Sequence, residues 1–455
     1  MAELEERDDE GLNERLVQDI LDAVEAQDSA RLTSLLDPLH PADIADLLEQ
    51  VAPEERHELL ILWKGMDGEV LSEIREGIRE EVIDTLAPEV LAEAVRELDT
   101  DDVVDIVQDL EQPQQEIILS ALDRADRAAV EKALTYPEYS AGRLMQREAV
   151  VAPEHWTVGE AIDYLREAEF LPDQFYHVIL VDPRIKPVAY VTLGRVLSSR
   201  RDMPLRDLAE DSYRTFHPAD PESDVAYQFN QYHLISAPVV DDDGRLVGVI
   251  TIDDAMNVLD EEHEEDILRL AGVGDESSIS DNVWETLRQR TPWLLVNLGT
   301  ANLSAWVISQ FEGTISVIVA LAALMPIIAS MGGNAGTQSL TVAVRALATR
   351  DLTSSNAARV VRREVAVGLI NGLGFAVVMG ALGMAFYGGS ILLAAVIAMA
   401  MVINLAVAAL AGVLVPLILN KARLDPALAS GTFVTTMTDV TGFFSFLGLA
   451  TVMLL

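Results

Sequence analysis

The sequence predicts a multidomain membrane protein: an acidic all-α superhelical segment, an α/β tandem repeat, an acidic connecting helix and a five-span α-helical transmembrane domain with an interrupted second span. Three observations predict it. The last third of the chain is apolar in runs long enough to cross a bilayer, almost all the acids precede it, and two stretches in between align at a fixed offset. The expected boundaries are 1–137 for the superhelix, 138–200 and 201–262 for the two repeats, 263–291 for the connecting helix and 292–455 for the transmembrane domain.

Of 32 Lys and Arg and 74 Asp and Glu in the chain, 7 and 5 lie from Pro292 onward, which leaves 25 basic and 69 acidic residues before it and a formal charge of −44 there. Such a charge repels nucleic acid and anionic lipid head groups, and a divalent cation is its natural counterion. The absence of cysteine excludes disulfides and thiolate metal sites. The start, MAELEERDDE, has no apolar core, so no signal or transit sequence is expected.

Up to about residue 135 the chain reads as short amphipathic helices. LHPADIADLL, LAPEVLAEAV and LDTDDVVDIV share a leucine, a cap or proline, acids in the first turn and then an apolar stripe. Pro41 and Pro88 suit a first turn, where no amide donor is needed. Between about 138 and 262 the pattern turns α/β. HVILVDPRIKPVAYVTLGRVL from His177 and SAPVVDDDGRLVGVITIDDAM from Ser236 align at an offset of 59, each giving strand, turn, strand and helix start. This resembles a tandem pair of CBS domains, modules that bind adenine nucleotides or metals. The second copy keeps the Gly-x-x-Thr-x-x-Asp feature as Gly248, Thr251 and Asp254, whose carboxylate can accept from a ribose hydroxyl; in the first copy Thr192 remains but Arg195 replaces the acid. The plain alternative is a helix cap.

LDEEHEEDILRLAGVG, from Leu259, reads as an acidic helix leading to the membrane, with Asp260, Glu261, Glu262, Glu264, Glu265 and Asp266 crowded into seven positions. Like charges at such spacing repel, and oxygen-only ligands favour Mg2+ or Ca2+ over zinc or copper. A solvated acidic linker is the competing reading.

Five spans follow: about 293–311, 315–347, 362–386, 390–419 and 428–455. Arginines at 345, 350, 359, 362 and 363 flank the second loop and Lys421 and Arg423 the fourth, whereas the first loop carries Glu312 and the third Gly388 and Gly389. The bias predicts a multi-pass protein of the cell (inner) membrane, N terminus cytoplasmic and C terminus external. MPIIASMGGNAGTQSL, with Pro326, Gly332, Gly333, Asn334 and Gly336, argues for a break in the second span that could offer carbonyls to ions; close helix packing through small residues is the alternative. In the last span Asp439 is the single ionisable group, flanked by Thr435, Thr436, Thr438 and Thr441. A carboxylate there costs roughly 2.5 to 3.5 kcal/mol to insert, so it should face protein, water or an ion, with an ion pair to Arg345 as the structural alternative.

At this point the sequence resembles the MgtE family of magnesium channels and transporters over essentially its whole length, on PIIASMGGNAGTQS, RALATRDL from Arg345, NLAVAALAGVLVP from Asn404, DPALAS from Asp425 and TDVTG from Thr438. The resemblance implies a homodimer in the bilayer with a pore on the two-fold axis, passing Mg2+ partly or fully hydrated. Carried across, the pore acid falls on Asp439, the GGN turn on Gly332, Gly333 and Asn334, and the regulatory Mg2+ ligands on Glu69, Asp101, Asp254, Glu262, Glu265 and Asp266. Asn257 and His233 stand where relatives can have acids, and Gly431 where an asparagine can line the pore. Rival readings are a transporter of Mn2+ or Co2+, a CBS-regulated carrier of an anion or osmolyte, and a membrane metal or nucleotide sensor without transport. ATP is a candidate modulator through Thr251 and Asp254. No nucleotide-hydrolysis loop, nucleophile motif or metalloprotease signature points to an enzyme.

Overall fold

A computed structural model describes residues 12–455 apart from 97, 109, 169, 170, 173, 211, 212, 274–276, 278–282 and 387–389. The acidic first ten residues and the third loop with Gly388 and Gly389 lie outside the described residues. The chain divides into two compact units, Met1–Glu261 and Glu262–Leu455.

The first unit opens with short helices: α1 (Glu14–Glu25), α2 (Ser29–Leu36), α3 (Pro41–Gln50), α4 (Pro53–Leu62), α5 (Gly68–Glu73), α6 (Glu76–Thr85), α7 (Pro88–Arg96), α8 (Thr100–Gln108), α9 (Gln112–Ala121) and α10 (Arg124–Ala133). Pro41 and Pro88 begin α3 and α7, as the missing amide donor requires. Asp28 caps α2 by accepting from the Arg31 amide at 3.0 Å, and Asp123 caps α10 by accepting from those of Ala125 and Asp126. One apolar stripe per helix, with Ile20, Leu32, Leu47, Leu59, Leu71, Ile106 and Ile118 fully buried, merges into a continuous core. Short helices with weak propensity are held by that shared packing.

Then come α11 (Ala141–Leu144), β1 (Val151–Pro153), α12 (Val158–Glu167), β2 (His177–Val181), β3 (Pro187–Thr192), α13 (Leu193–Ser198), a 3-10 turn (Leu205–Leu208), α14 (Glu222–Tyr232), β4 (Ser236–Val240) and β5 (Leu246–Thr251). The offset of 59 holds strand by strand. His177 pairs with Thr192 in one hairpin and Ser236 with Thr251 in the other, and both hairpins shift register at the equivalent place, Leu180/Val181 and Val239/Val240. The equivalent residues His177 and Ser236 meet, Nδ1 to Oγ at 2.7 Å. The repeat is thus packed about a local two-fold.

α15 (Ile252–Ala271) runs unbroken through residue 262, so a single helix carries the chain from the first compact unit into the second. α16 (Val283–Ser309), α17 (Glu312–Val317), α18 (Ala320–Ala348), α19 (Ala357–Phe386), α20 (Ile391–Lys421) and α21 (Pro426–Leu454) complete the second unit. Among the described residues four segments, within α18 to α21, are long and apolar enough to cross a membrane; α16 is 27 residues long but less apolar. α20 is the central helix, packed against α18, α19 and α21.

The second span is not interrupted where the sequence suggested. α18 is one helix of 29 residues from Ala320 through Pro326, Gly332, Gly333 and Asn334, and the break lies earlier, at Ile318 and Val319. Close packing accounts for Gly336 and Gly412: a Cβ on Gly336 would sit 2.7 Å from Val434 Cγ1 of α21, and one on Gly412 would sit 2.7 Å from the Gly336 carbonyl oxygen, so α18 and α20 approach backbone to backbone and α21 lays a side chain against α18. Glycine's helix cost of about 1 kcal/mol is offset by that approach.

Candidate ion-conducting and ion-sensing sites

In the first unit the start of α8 brings Asp101 and Asp102 to Asp254, in the first turn of α15. Asp101 is buried and shares a hydrogen bond with Asp254, whose Oδ2 accepts from the Thr251 hydroxyl at 2.6 Å. Burial, and then the neighbouring carboxylates, push Asp101 well above the usual carboxylate range. Asp102 and Asp254 are raised to about 7, again chiefly by burial. The charges acting on Asp101 and Asp102 are all carboxylates, from Asp99, Asp105, Asp253 and Asp254 among others. Among the described residues no three such side chains form a ready chelate. The donor set nevertheless fits a hard cation: oxygen ligands, Asp101 buried and Asp102 and Asp254 partly so, with no ion pair to a basic residue among the described residues. Glu69 is exposed in the first turn of α5, an element packed against α8.

These shifts fix a pH dependence. A carboxyl whose folded value is raised binds its proton more tightly in the folded state, so its stabilising contribution is full below about 3.8 and is lost as pH rises to about 7. Without Mg2+, the full-length protein in detergent should therefore melt at a lower temperature as pH rises through that window. Added Mg2+ should raise the melting temperature strongly above it and little near its lower end. A melting temperature indifferent to both pH and Mg2+ would show that the cluster is not under charge strain.

In the second unit the acidic part of α15 meets the start of α21. Arg269 bridges Glu265 Oε2 and Asp425 Oδ2, both at 2.8 Å, while Asp425 Oδ1 caps α21 by accepting from the Ala427 amide at 2.7 Å. Burial, then Asp266, raises Glu262; burial, then Asp425, raises Asp266. Glu262 and Asp266 are within electrostatic reach of Asp425 and Glu265 shares a cation with it, though among the described residues no three acids form a group able to hold a metal; the centre of the arrangement is the pair Asp425 and Arg269. Neither of those two was singled out as a ligand from sequence. Asp425 before Pro426 reads as a helix cap, which conceals that its second oxygen is free to pair.

Among the membrane helices, Asp439 is half-buried on α21 and, among the described residues, has no hydrogen-bond or ion-pair partner; an ion pair with Arg345 is not formed. Thr435, one turn earlier, is exposed and donates to the Gly431 carbonyl at 2.9 Å. The depth of Asp439 relative to α18 follows from two contacts. Gly336 meets Val434 and Thr438, whereas Gly332 and Gly442 both meet Asn404, so the antiparallel pair sets Asn334 level with Asp439. Asn334 is exposed on α18, Gly332 is buried against Asn404, and Gly333 has open space beside it. The expected GGN turn is helix. Asn404 was given no part from sequence because an asparagine in an apolar run reads simply as a polar interruption.

A helical acidic unit with a duplicated α/β module, joined to apolar helices that carry a carboxylate with no partner among the described residues, fits a multidomain membrane protein that handles cations. Family profiles agree: "Divalent cation transporter" matches residues 325–449, "MgtE intracellular N domain" 39–139 and "CBS domain" 205–261. The chain is 32% identical over 453 residues to the magnesium transporter MgtE of Thermus thermophilus, covering 97% of this chain and 99% of that one. It is 34% identical over 325 residues to that of Enterococcus faecalis, covering 70% of each. A solved structure titled as the cytosolic domain of the Mg2+ channel MgtE in complex with ATP matches with a TM-score of 0.50 and 28% identity, covering 53% of this chain and 99% of that one. The chain belongs to the MgtE family of magnesium transporters, a family of transporters and not of enzymes.

Proposed function

We propose that the chain is a Mg2+-selective channel of the cell membrane, working as a homodimer with five spans per protomer, its N terminus cytoplasmic and its C terminus external. The observation that carries this is Asp439, a partnerless carboxylate on an apolar helix level with Asn334. Mg2+ gives up water reluctantly, so carboxylates from two protomers acting through retained waters, with Thr435 and Asn334 oxygens beside them, select it better than a dry cage.

Cytosolic Mg2+ closes the channel by bridging carboxylates. Asp101 and Asp254, with Glu69 near them, hold ions in one unit, and Glu262, Glu265 and Asp266 do so at the membrane. Moving a gate from 1:99 to 99:1 takes about 5.5 kcal/mol of differential binding. A weak site at ten times its dissociation constant contributes about 1.4 kcal/mol, so about four ions per gate are needed. An adenine nucleotide at Thr251 and Asp254 modulates the same unit.

Flux into proteoliposomes with competing Mn2+, Co2+ and Ca2+ tests the reading. Saturable Mg2+ uptake that falls as Mg2+ rises on the cytosolic face supports it. Uptake of Mn2+ or Co2+ in preference to Mg2+ would make the chain a transporter of that ion instead, and no cation uptake would leave a sensor.

A further inference from the structure

Asn404 lies in the middle of α20 and is fully buried. Its Nδ2 donates to the Ile328 carbonyl of α18 at 2.8 Å, an oxygen that also belongs to that helix's own ladder. Its Oδ1 has no partner among the described residues. Two glycines make room for it. A Cβ on Gly332 of α18 would overlap Asn404 Nδ2, and a Cβ on Gly442 of α21 would fall 2.9 Å from the same atom. One amide is thus wedged among three helices, in a slot that admits no other side chain.

The position of the slot matters more than its tightness. Gly332 is two residues from Asn334 and Gly442 is three from Asp439, so the wedge lies within a turn of both polar groups on the helices that carry them. A buried polar side chain in an apolar helix bundle costs free energy unless it is hydrogen-bonded, and here only half of the amide is satisfied. Simple packing would be served as well by a small apolar residue. What an amide adds is a directional tie to one carbonyl, which fixes how far α18 is rotated and raised against α20, and Gly442 of α21 rests on the same amide.

We propose that Asn404 is a positioning residue for ion selection, setting the spacing between the Asn334 helix and the Asp439 helix through its bond to the Ile328 carbonyl. This rests on the reading of α18 and α21 as the helices beside the ion path. Selection of a hydrated ion depends on distances between polar groups, so a loosened tie changes which ion passes and not only how many. A larger, more readily dehydrated cation such as Ca2+ gains most.

The test is Mg2+ flux and Ca2+ competition in proteoliposomes holding full-length Asn404→Ala or Asn404→Asp protein, with melting temperature measured in parallel. Asn404→Leu, made in the same way, is nearly isosteric, uncharged and without a donor, which keeps the experiment informative if Asn404→Ala or Asn404→Asp assembles poorly. In each variant the ratio of Ca2+ to Mg2+ passage should rise about tenfold, a sub-ångström misplacement being enough for such a change. Gly332→Ala should impair the wild type yet be tolerated beside Asn404→Ala, where the slot is vacated. Fluxes of both ions that fall together at an unchanged ratio would assign Asn404 to packing alone and overturn the proposal. Absence of Mg2+ flux in the wild type would instead overturn the pore reading and this inference with it, so the two failures are distinct.

Discussion

Asp439→Ala should reduce Mg2+ flux in proteoliposomes to background while the protein still inserts and assembles. The physical argument separates the two effects. Removing a carboxylate from an apolar span lowers its insertion cost by roughly 2.5 to 3.5 kcal/mol, so the variant should be no less stable than the wild type. No hydrogen bond or ion pair of Asp439 is lost among the described residues, so no partner is orphaned by the change. What disappears is the one negative charge at the level of Asn334, and with it the attraction that draws a strongly hydrated divalent ion into a low-dielectric region. Normal Mg2+ uptake by Asp439→Ala would remove the acid from the ion path.

The second large effect is expected at the end of α15. Combined Glu262→Gln, Glu265→Gln and Asp266→Asn should leave the channel conducting at cytosolic Mg2+ concentrations that close the wild type. If two of about four bridging ions are lost, about 2.8 kcal/mol of closing free energy goes with them and about half of the molecules stay open. Arg269 remains paired with Asp425 in this variant, so α15 is not released from α21 by the substitutions themselves. Patch recordings across a range of cytosolic Mg2+ decide it, and an inhibition curve that does not move would defeat the sensor role of these three acids.

The architecture was legible because it is written in periodicity. The 59-residue offset of the hairpins, the prolines opening α3 and α7, and the apolar runs of α18 to α21 each follow from local rules, and each appears in the fold. What the sequence concealed depends on neighbours far along the chain. Pro326 and the glycines of α18 read as a break by propensity, but Gly332 and Gly336 pack against Asn404 of α20 and Val434 of α21 and the helix persists. Gly332 read as part of an ion-lining turn, yet its open side is filled by Asn404, 72 positions later. Among the acids, the meeting of Asp101 with Asp254 could be carried over only by family likeness, since no spacing rule joins residues 153 positions apart. Arg269 was hidden for the opposite reason. Among six acids it reads as a surface counter-charge, while the fold gives it two carboxylates to hold.

The duplicated hairpins carry one difference whose effect reaches past their shape. Where the second copy places the Asp254 carboxylate, the first has Arg195, which turns back on its own loop, donating to the Leu208 carbonyl at 3.1 Å and reaching Glu210 at 3.8 Å. A ribose hydroxyl meets no counterpart of the Asp254 carboxylate at that corner, so an adenine nucleotide titrated onto the full chain should saturate at one equivalent; two equivalents would show that the first copy is an open berth as well.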